Sequence, residues 1–198
     1  AFGRQCKIYN NVQLDSKNGT SRSEDRLRVA LGKPLDCIKG LKVLEAGSGA
    51  GRFTEILLKY GAKVYSFDLS NAVEVNYKNN STDKNLTIFQ ADIENIPFED
   101  NFFDLSICLG VMQHTRDSKK SLKELARVTK KNGVISFDHY RKHPGQYFSL
   151  YLVYWYIIKN LHHSKQHKIT ESLTKLFFPI HWLFRKSVFI QFILRRIS

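Results

Sequence analysis

The sequence predicts an α/β fold, a doubly wound and mostly parallel sheet, with a helical segment after it. Three observations carry that expectation. Short apolar runs alternate with helix-period stretches through residues 41–140, the pattern of strand–helix–strand units joined by right-handed crossovers. Val43-Leu44-Glu45-Ala46 runs straight into Gly47-Ser48-Gly49-Ala50-Gly51, and a helical stretch starts at Arg52. Such a turn lets backbone pass close to a bound group and offers it the free N–H donors of a helix N-terminus. Acidic residues recur where apolar runs stop, at Glu45, Asp68 and Asp92.

Each element follows from its local pattern. Residues 1–20 read as polar and irregular. Ser21-Arg22-Ser23-Glu24 has the spacing of a capping box, and Leu27, Ala30 and Leu31 share one face of the helix behind it. Gly32 and Pro34 end that helix. The first strand is 42–46. Phe53, Ile56, Leu57 and Tyr60 form the apolar stripe of the next helix, which Gly61 stops. The second strand is 63–67, and Ser70 caps a helix to about residue 79. The third strand is 86–90. The link 93–103 is short and contains Pro97, so it holds at most one helical turn. The fourth strand is 104–109. Asp117 or Ser118 caps a helix with Leu122, Leu125, Ala126 and Thr129 inward, and the fifth strand is 134–137.

With 198 residues and 42% hydrophobic content, the chain can build one such domain and an appendage. The net charge of +13 is unevenly placed. Residues 141–198 hold ten lysines and arginines against one acid, Glu171. Three scattered cysteines, Cys6, Cys37 and Cys108, form no Cys-x-x-Cys pair, so a zinc site or disulfide framework is not expected and a cytoplasmic chain is. Cys108 lies within the fourth strand. His162, His163 and His167 have no cysteine or carboxylate near enough to make a metal set, so no metal is expected.

The glycine turn carries a chemical preference. A carboxylate at Glu45 repels a pyrophosphate and suits a ligand with an ammonium or sulfonium charge. The alternative for Glu45 is a buried carboxylate that closes the turn. Asp68 lies about twenty residues beyond the first glycine, where an acid that grips ribose hydroxyls is expected in such folds. Gln90-Ala91-Asp92-Ile93 ends the third strand. The fourth is followed by Leu109-Gly110-Val111-Met112-Gln113-His114-Thr115.

In order and spacing these motifs, with Leu125-Ala126-Arg127-Val128-Thr129-Lys130-Lys131-Asn132-Gly133-Val134 after them, resemble class I S-adenosylmethionine-dependent methyltransferases of the type 11 kind. The resemblance covers residues 41–140. It implies a Rossmann-like strand order 3-2-1-4-5, a ligand at the reversal between strands one and four, and S-adenosyl-L-methionine as cofactor. It implies three segments: a lead with a cofactor-covering helix (1–40), the cofactor-binding core (41–140) and a cap or insertion (141–198). It assigns Glu45, Gly47, Ser48, Gly49 and Gly51 to the methionine end and the loop. Asp68 and Leu69 go to the ribose, and Ala91, Asp92 and Ile93 to the adenine. Leu109 and Gln113 stand at the mouth. His114 is the best-placed candidate base, because imidazole titrates near neutral pH; the alternative is a histidine that hydrogen-bonds the loop. His139 and His143 could line the same pocket.

The tail departs from the family. Complete members add two strands after strand five, and residues 141–198 contain no such pair. With a start at Ala1, this predicts a piece of a longer chain. Two aromatic stretches, 147–158 and 176–194, read instead as helices that pack on the domain, cap a pocket or lie on a membrane surface.

The expected activity is methyl transfer to a small-molecule or lipid-like acceptor. The rivals are a nicotinamide-dependent oxidoreductase and a non-catalytic, membrane-associated scaffold. The first is disfavoured because Arg52 breaks the Gly-x-Gly-x-x-Gly pattern. Peripheral contact of 141–198 with anionic lipid is expected, and nucleic acid is not, because the apolar runs are too continuous for a basic groove with spaced stacking residues.

Overall fold

In the computed structural model the described residues are 3, 6, 8, 13–140, 156 and 158–187. The chain separates into two compact units, Ala1–Tyr140 and Arg141–Ser198. Five strands form one sheet: β1 (Lys42–Ala46), β2 (Lys63–Asp68), β3 (Leu86–Gln90), β4 (Phe103–Cys108) and β5 (Thr129–Phe137). Their order is β3-β2-β1-β4-β5 and every pair is parallel. The fold class is the one the sequence predicts, and the strand order is the one the family resemblance implies. Between residues 13 and 140 the α-helices are α1 (Asp15–Asn18), α2 (Arg22–Leu31), α3 (Arg52–Lys59), α4 (Ala72–Asn80) and α5 (Ser118–Val128). The second unit contains α6 (His163–Leu183).

Parallel strands must be covered on both faces, and alternation along β1 does this. Val43 faces Leu27 of α2 and Phe53, Ile56 and Leu57 of α3 in one core. Leu44 and Ala46 face Leu125 and Val128 of α5 in the other. Val43, Leu44, Leu57, Val64 and Leu125 are wholly buried, each contributing about 1.5–3 kcal/mol of transfer free energy.

Asp117 caps α5, accepting from Lys119 N at 2.9 Å and Lys120 N at 3.0 Å. The inward face of α5 is Ser121, Leu125 and Val128. Ala126 is exposed, a correction to the expected stripe, because it stands about 100° round the helix from Leu125, off the inward line. Thr129 pairs with Phe103, and a register shift brings Val134 opposite Leu105. Strand β5 is therefore longer than predicted.

The capping box is also corrected. Ser21 makes no side-chain cap; its hydroxyl donates to Asp25 Oδ2 at 2.8 Å. The cap comes from Asp15, whose carboxylate accepts from Ser23 N at 2.9 Å and Glu24 N at 3.0 Å. An ionised acceptor satisfies these donors better than a hydroxyl and complements the helix dipole. Burial opposes the charge on Asp15, but the Glu24 and Ser23 amides outweigh it and hold the carboxyl below its ordinary range. Glu24 turns outward to Lys59 Nζ at 2.6 Å and Tyr60 Oη at 2.7 Å. Residues 15–18 are thus helical rather than irregular.

The link between β3 and β4 contains no helix. Arg127 fixes it, donating to Phe98 O at 2.8 Å, Ile96 O at 2.9 Å, Asp100 Oδ1 at 2.9 Å and both Glu124 oxygens. Beneath it, Phe98, Phe102 and Phe103 crowd edge-on around Tyr65.

In the second unit His162 Nδ1 accepts from Ser164 N at the start of α6, and Pro179 lies within the helix. His143, most of the 147–158 stretch, and 188–194 of the second aromatic stretch lie outside the described residues.

Candidate functional site

The carboxyl ends of β1, β2, β3 and β4 converge on the glycine turn. Gly47 N and Ser48 N both donate to Phe67 O, at 2.8 and 2.9 Å, which folds the turn over the end of β2. Gly47 has φ of 78°, and a Cβ there would stand 2.2 Å from Val111 Cγ2. Only glycine permits that backbone and that approach of the β4 turn. Gly51 also has positive φ, and its Cβ would strike the Asn76 and Asn80 amides of α4. Gly49 differs: a Cβ there would meet only Cys6 Sγ, at 3.7 Å.

Asp68 ties this turn together. Its Oδ2 accepts from Gly49 N at 3.0 Å, and its Oδ1 accepts from Ser70 N at 2.8 Å and Ser70 Oγ at 2.7 Å. A carboxylate has about four acceptor sites, so these three contacts leave about one. Ala91 N donates to Asp68 O at 3.3 Å, and Gln90 Nε2 donates to Leu69 O at 2.7 Å. Leu69 is exposed. Asp92 closes its own turn, with Oδ1 accepting from Glu94 N at 2.9 Å, and Ile93 is buried behind it.

Glu45 is buried, 2% exposed. Its Oε2 accepts from the Thr54 hydroxyl and from Ser66 Oγ at 2.8 Å, while its Oε1 is buried without a partner. Burial pushes its carboxyl up to about 7, against the two hydroxyl bonds and the Thr54 backbone amide, and the charge of Asp68 adds to the rise. An unpaired buried carboxylate oxygen is costly.

On the β4 side, Gln113 lies in the turn Met112–His114 after Leu109, and neither of its amide atoms has a partner although both are buried. His114 is exposed and stands edge-on to Tyr140, with ring centroids 6.1 Å apart. His139 is exposed beyond β5. The structure thus gathers Glu45, the glycines, Asp68, Ala91 and the Leu109–Gln113 turn at one sheet edge, while His114 stands at its rim.

Sequence reasoning missed the polar residues behind Glu45. Thr54 and Ser66 are wholly buried and Asn76 is too. The available signal was a serine amid the apolar run of β2 and the Asn76–Asn80 pair at i, i+4 on α4. Also missed were Arg26 and Asp138, whose groups meet at 2.5 Å beside Gly110.

The glycine turn, its acid and the turn after β4 all fall in the segment that comparisons single out. Residues 44–137 match the sequence model of a family described as "Methyltransferase domain". A malonyl-[acyl-carrier protein] O-methyltransferase of Buchnera aphidicola is 31% identical over 139 residues, 70% of this chain and 52% of that protein. A ubiquinone biosynthesis O-methyltransferase of Coxiella burnetii is 32% identical over 103 residues, 51% of this chain and 44% of that one. The chain spans about half the length of these curated relatives. Among solved structures, an S-adenosylmethionine-dependent methyltransferase from Aquifex aeolicus superposes with a TM-score of 0.51 at 26% identity, covering 62% of this chain and 68% of that one. By its strand order, its acidic glycine turn and these matches, the segment 44–137 is a class I S-adenosylmethionine-dependent methyltransferase domain of the type 11 family.

Proposed function

We propose that this protein binds S-adenosyl-L-methionine at the carboxyl edge of β1, β2 and β4 and transfers its methyl group to a small-molecule or lipid-like acceptor. The observation that carries the reading is Glu45 Oε1, a buried carboxylate oxygen without a partner at the start of the glycine turn. A nicotinamide dinucleotide would bring a pyrophosphate to this turn, where Glu45 opposes it; an amino acid moiety brings an ammonium. The residues present fit the cofactor in one further respect: the unpartnered Gln113 amide can both donate and accept.

When bound, the cofactor supplies an already activated methyl group. The chain's own residues then have three tasks. Glu45 accepts from the ammonium. Asp68 holds the ribose edge while keeping Gly49 in place. Gln113 orients the methionine end or the acceptor. Holding two reactants in line contributes more than any proton transfer unless the nucleophile arrives protonated. For a protonated nucleophile His114 is the candidate base, its exposure matching a place where an acceptor enters. Acceptors of the kind named for the relatives, a quinone precursor or a carrier-bound malonyl group, fall within this class.

For the second unit we propose peripheral contact with anionic lipid. The support is α6 and the turn after it, where Leu176, Phe178, Trp182 and Leu183 are exposed among Lys168, Lys175, Arg185 and Lys186. Among the described residues no helix is long and apolar enough to cross a membrane. Sedimentation with anionic vesicles tests this: binding that weakens with salt is expected, and a chain that ignores the vesicles ends the idea.

The cofactor reading is tested by calorimetry with S-adenosylhomocysteine, S-adenosylmethionine and NAD. Binding of the first two and not the third is expected, and the reverse result overturns it.

A further inference from the structure

Behind Glu45 lies a buried hydrogen-bonded chain whose direction can be worked out from one end. Asn80 Nδ2 donates to Gly51 O at 3.3 Å and to Asn76 Oδ1 at 2.9 Å. A backbone carbonyl only accepts, so the Asn80 nitrogen must face it, and the Asn76 atom it meets must be the oxygen. The Asn76 nitrogen then faces inward, 3.0 Å from both Thr54 Oγ1 and Ser66 Oγ. An amide nitrogen only donates. Both hydroxyls therefore accept from Asn76. They also stand 3.2 Å from each other, but each lies closer to Glu45 Oε2, and the charged acceptor takes the single hydrogen of each. That fills both acceptor sites of Oε2. The acceptor positions left on the carboxylate are those of Oε1.

We infer that Asn76, held by Asn80, is a positioning residue for cofactor binding: it aims the Thr54 and Ser66 hydroxyls so that Glu45 presents Oε1 alone, and a proton and the cofactor's ammonium compete for that oxygen. The inference rests on the reading of Glu45 as the ammonium's partner and adds the device that sets its affinity. The Gly51 carbonyl at the far end belongs to the glycine turn, so the same chain also ties the loop to the carboxylate.

The other groups around Glu45 do not supply this aim. On β2, Asp68 faces it as a like charge that favours the protonated form. On α3, Arg52 turns to Ser23 Oγ and Glu55 to Ser16. On α4, Glu74 and Lys78 are exposed. The neighbour on β4, Ile107, is apolar.

The experiment measures S-adenosylhomocysteine affinity by calorimetry on the full chain between pH 5.5 and 8.5, for wild type, Asn76→Asp, Ser66→Ala and Glu45→Gln. In the wild type affinity rises as Glu45 ionises, with a midpoint near 7. An aspartate at 76 cannot donate; it takes the two hydroxyl hydrogens and adds a like charge. The midpoint then moves up by about one unit or more, and affinity at pH 7 falls about tenfold or more. Ser66→Ala removes one donor and moves the midpoint the same way by less, and it decides the matter if Asn76→Asp does not fold. Glu45→Gln is weak and flat with pH. If the folded Asn76 or Ser66 variant keeps the wild-type midpoint while Glu45→Gln is weak and flat, the positioning role is wrong and the cofactor reading stands. If Glu45→Gln keeps wild-type affinity and pH dependence, both fail.

Discussion

Arg26 and Asp138, 112 residues apart in the chain, meet at 2.5 Å across the carboxyl edge of the sheet. The other Asp138 oxygen accepts from Gly110 N at 2.5 Å. One carboxylate so joins α2, the end of β5 and the turn after β4. The ion pair is about 40% exposed on each side, so by itself it contributes at most about 1 kcal/mol. The bond to Gly110 N fixes a turn with positive φ. Asp138→Ala is therefore expected to destabilise the protein more than Arg26→Ala, by about 1 kcal/mol or more. Urea unfolding of the two variants checks the ranking; equal losses would show that the ion pair alone matters.

Gly47→Ala meets two obstacles, a left-handed backbone at φ 78° and the side chain of Val111. The backbone cost is about 1–2 kcal/mol, and the clash adds to it. Pairing the change with Val111→Ala should recover the clash and leave the backbone cost. A double-mutant cycle by chemical denaturation separates them; full recovery in the pair would exclude backbone strain.

Asp68→Ala removes the acceptor for Gly49 N and for both Ser70 donors. A charge-assisted bond to an ordered loop contributes about 1.5–3 kcal/mol. The variant is expected to unfold at lower temperature and to bind S-adenosylhomocysteine at least about tenfold more weakly. A thermal shift without an affinity change would limit Asp68 to the loop.

Glu45 makes the ligand-free protein less stable as pH rises. Its carboxyl is pushed up to about 7 in the fold from an ordinary 4.5. Between those values the folded state holds a proton that the unfolded chain has released, so stability falls with pH through that window and stays lower above it. The loss is on the order of 3 kcal/mol at most. Carboxyls held low by their partners, such as Asp15, Glu24 and Glu124, act at lower pH and with the opposite sign. Thermal unfolding of wild type and Glu45→Gln from pH 4.5 to 8 should diverge as pH rises, with the glutamine variant the more stable above 7. Parallel curves would place the proton elsewhere.

Arg127→Met should destabilise by roughly 2 kcal/mol, because it strips the carbonyls of Ile96 and Phe98 of their shared donor while keeping the aliphatic stem. Hydrogen exchange should show the loss as opening of the β3–β4 link ahead of the sheet. Unchanged protection of residues 93–102 would mean that the aromatic cluster suffices.

The sheet was legible because its signals are local. Apolar runs, the glycine turn and the amphipathic stripe of α3 each state their role within a few residues, and the acids at strand ends follow from the same pattern. What was not legible depends on partners far along the chain. Asp15 caps α2 from outside the capping-box spacing, and Thr129 begins a strand because Phe103 stands ready to pair with it. The Glu45 network joins residues of β1, α3, β2 and α4; the serine within β2 and the Asn76–Asn80 pair hint at buried polar groups, but nothing local says that they meet at Glu45. At the site, the sequence could name the acid and the glycines but could not tell which carboxylate oxygen is left open.

The attachment of α2 also bears on where this protein could be shortened. Asp15 supplies the helix's first hydrogen bonds, Leu14 is buried, and Ser16 is joined to Glu55 of α3 at 2.7 Å through its hydroxyl. A version cut at residue 20 would keep every motif of the family and yet start α2 with bare amides and a gap where Leu14 sat. A version cut at residue 41 would go further and strip Leu27 from the face of α3, leaving Phe53 and Leu57 open to water. A version that keeps the cap of α2 and its buried anchor therefore begins ahead of Leu14, some thirty residues before the glycine turn.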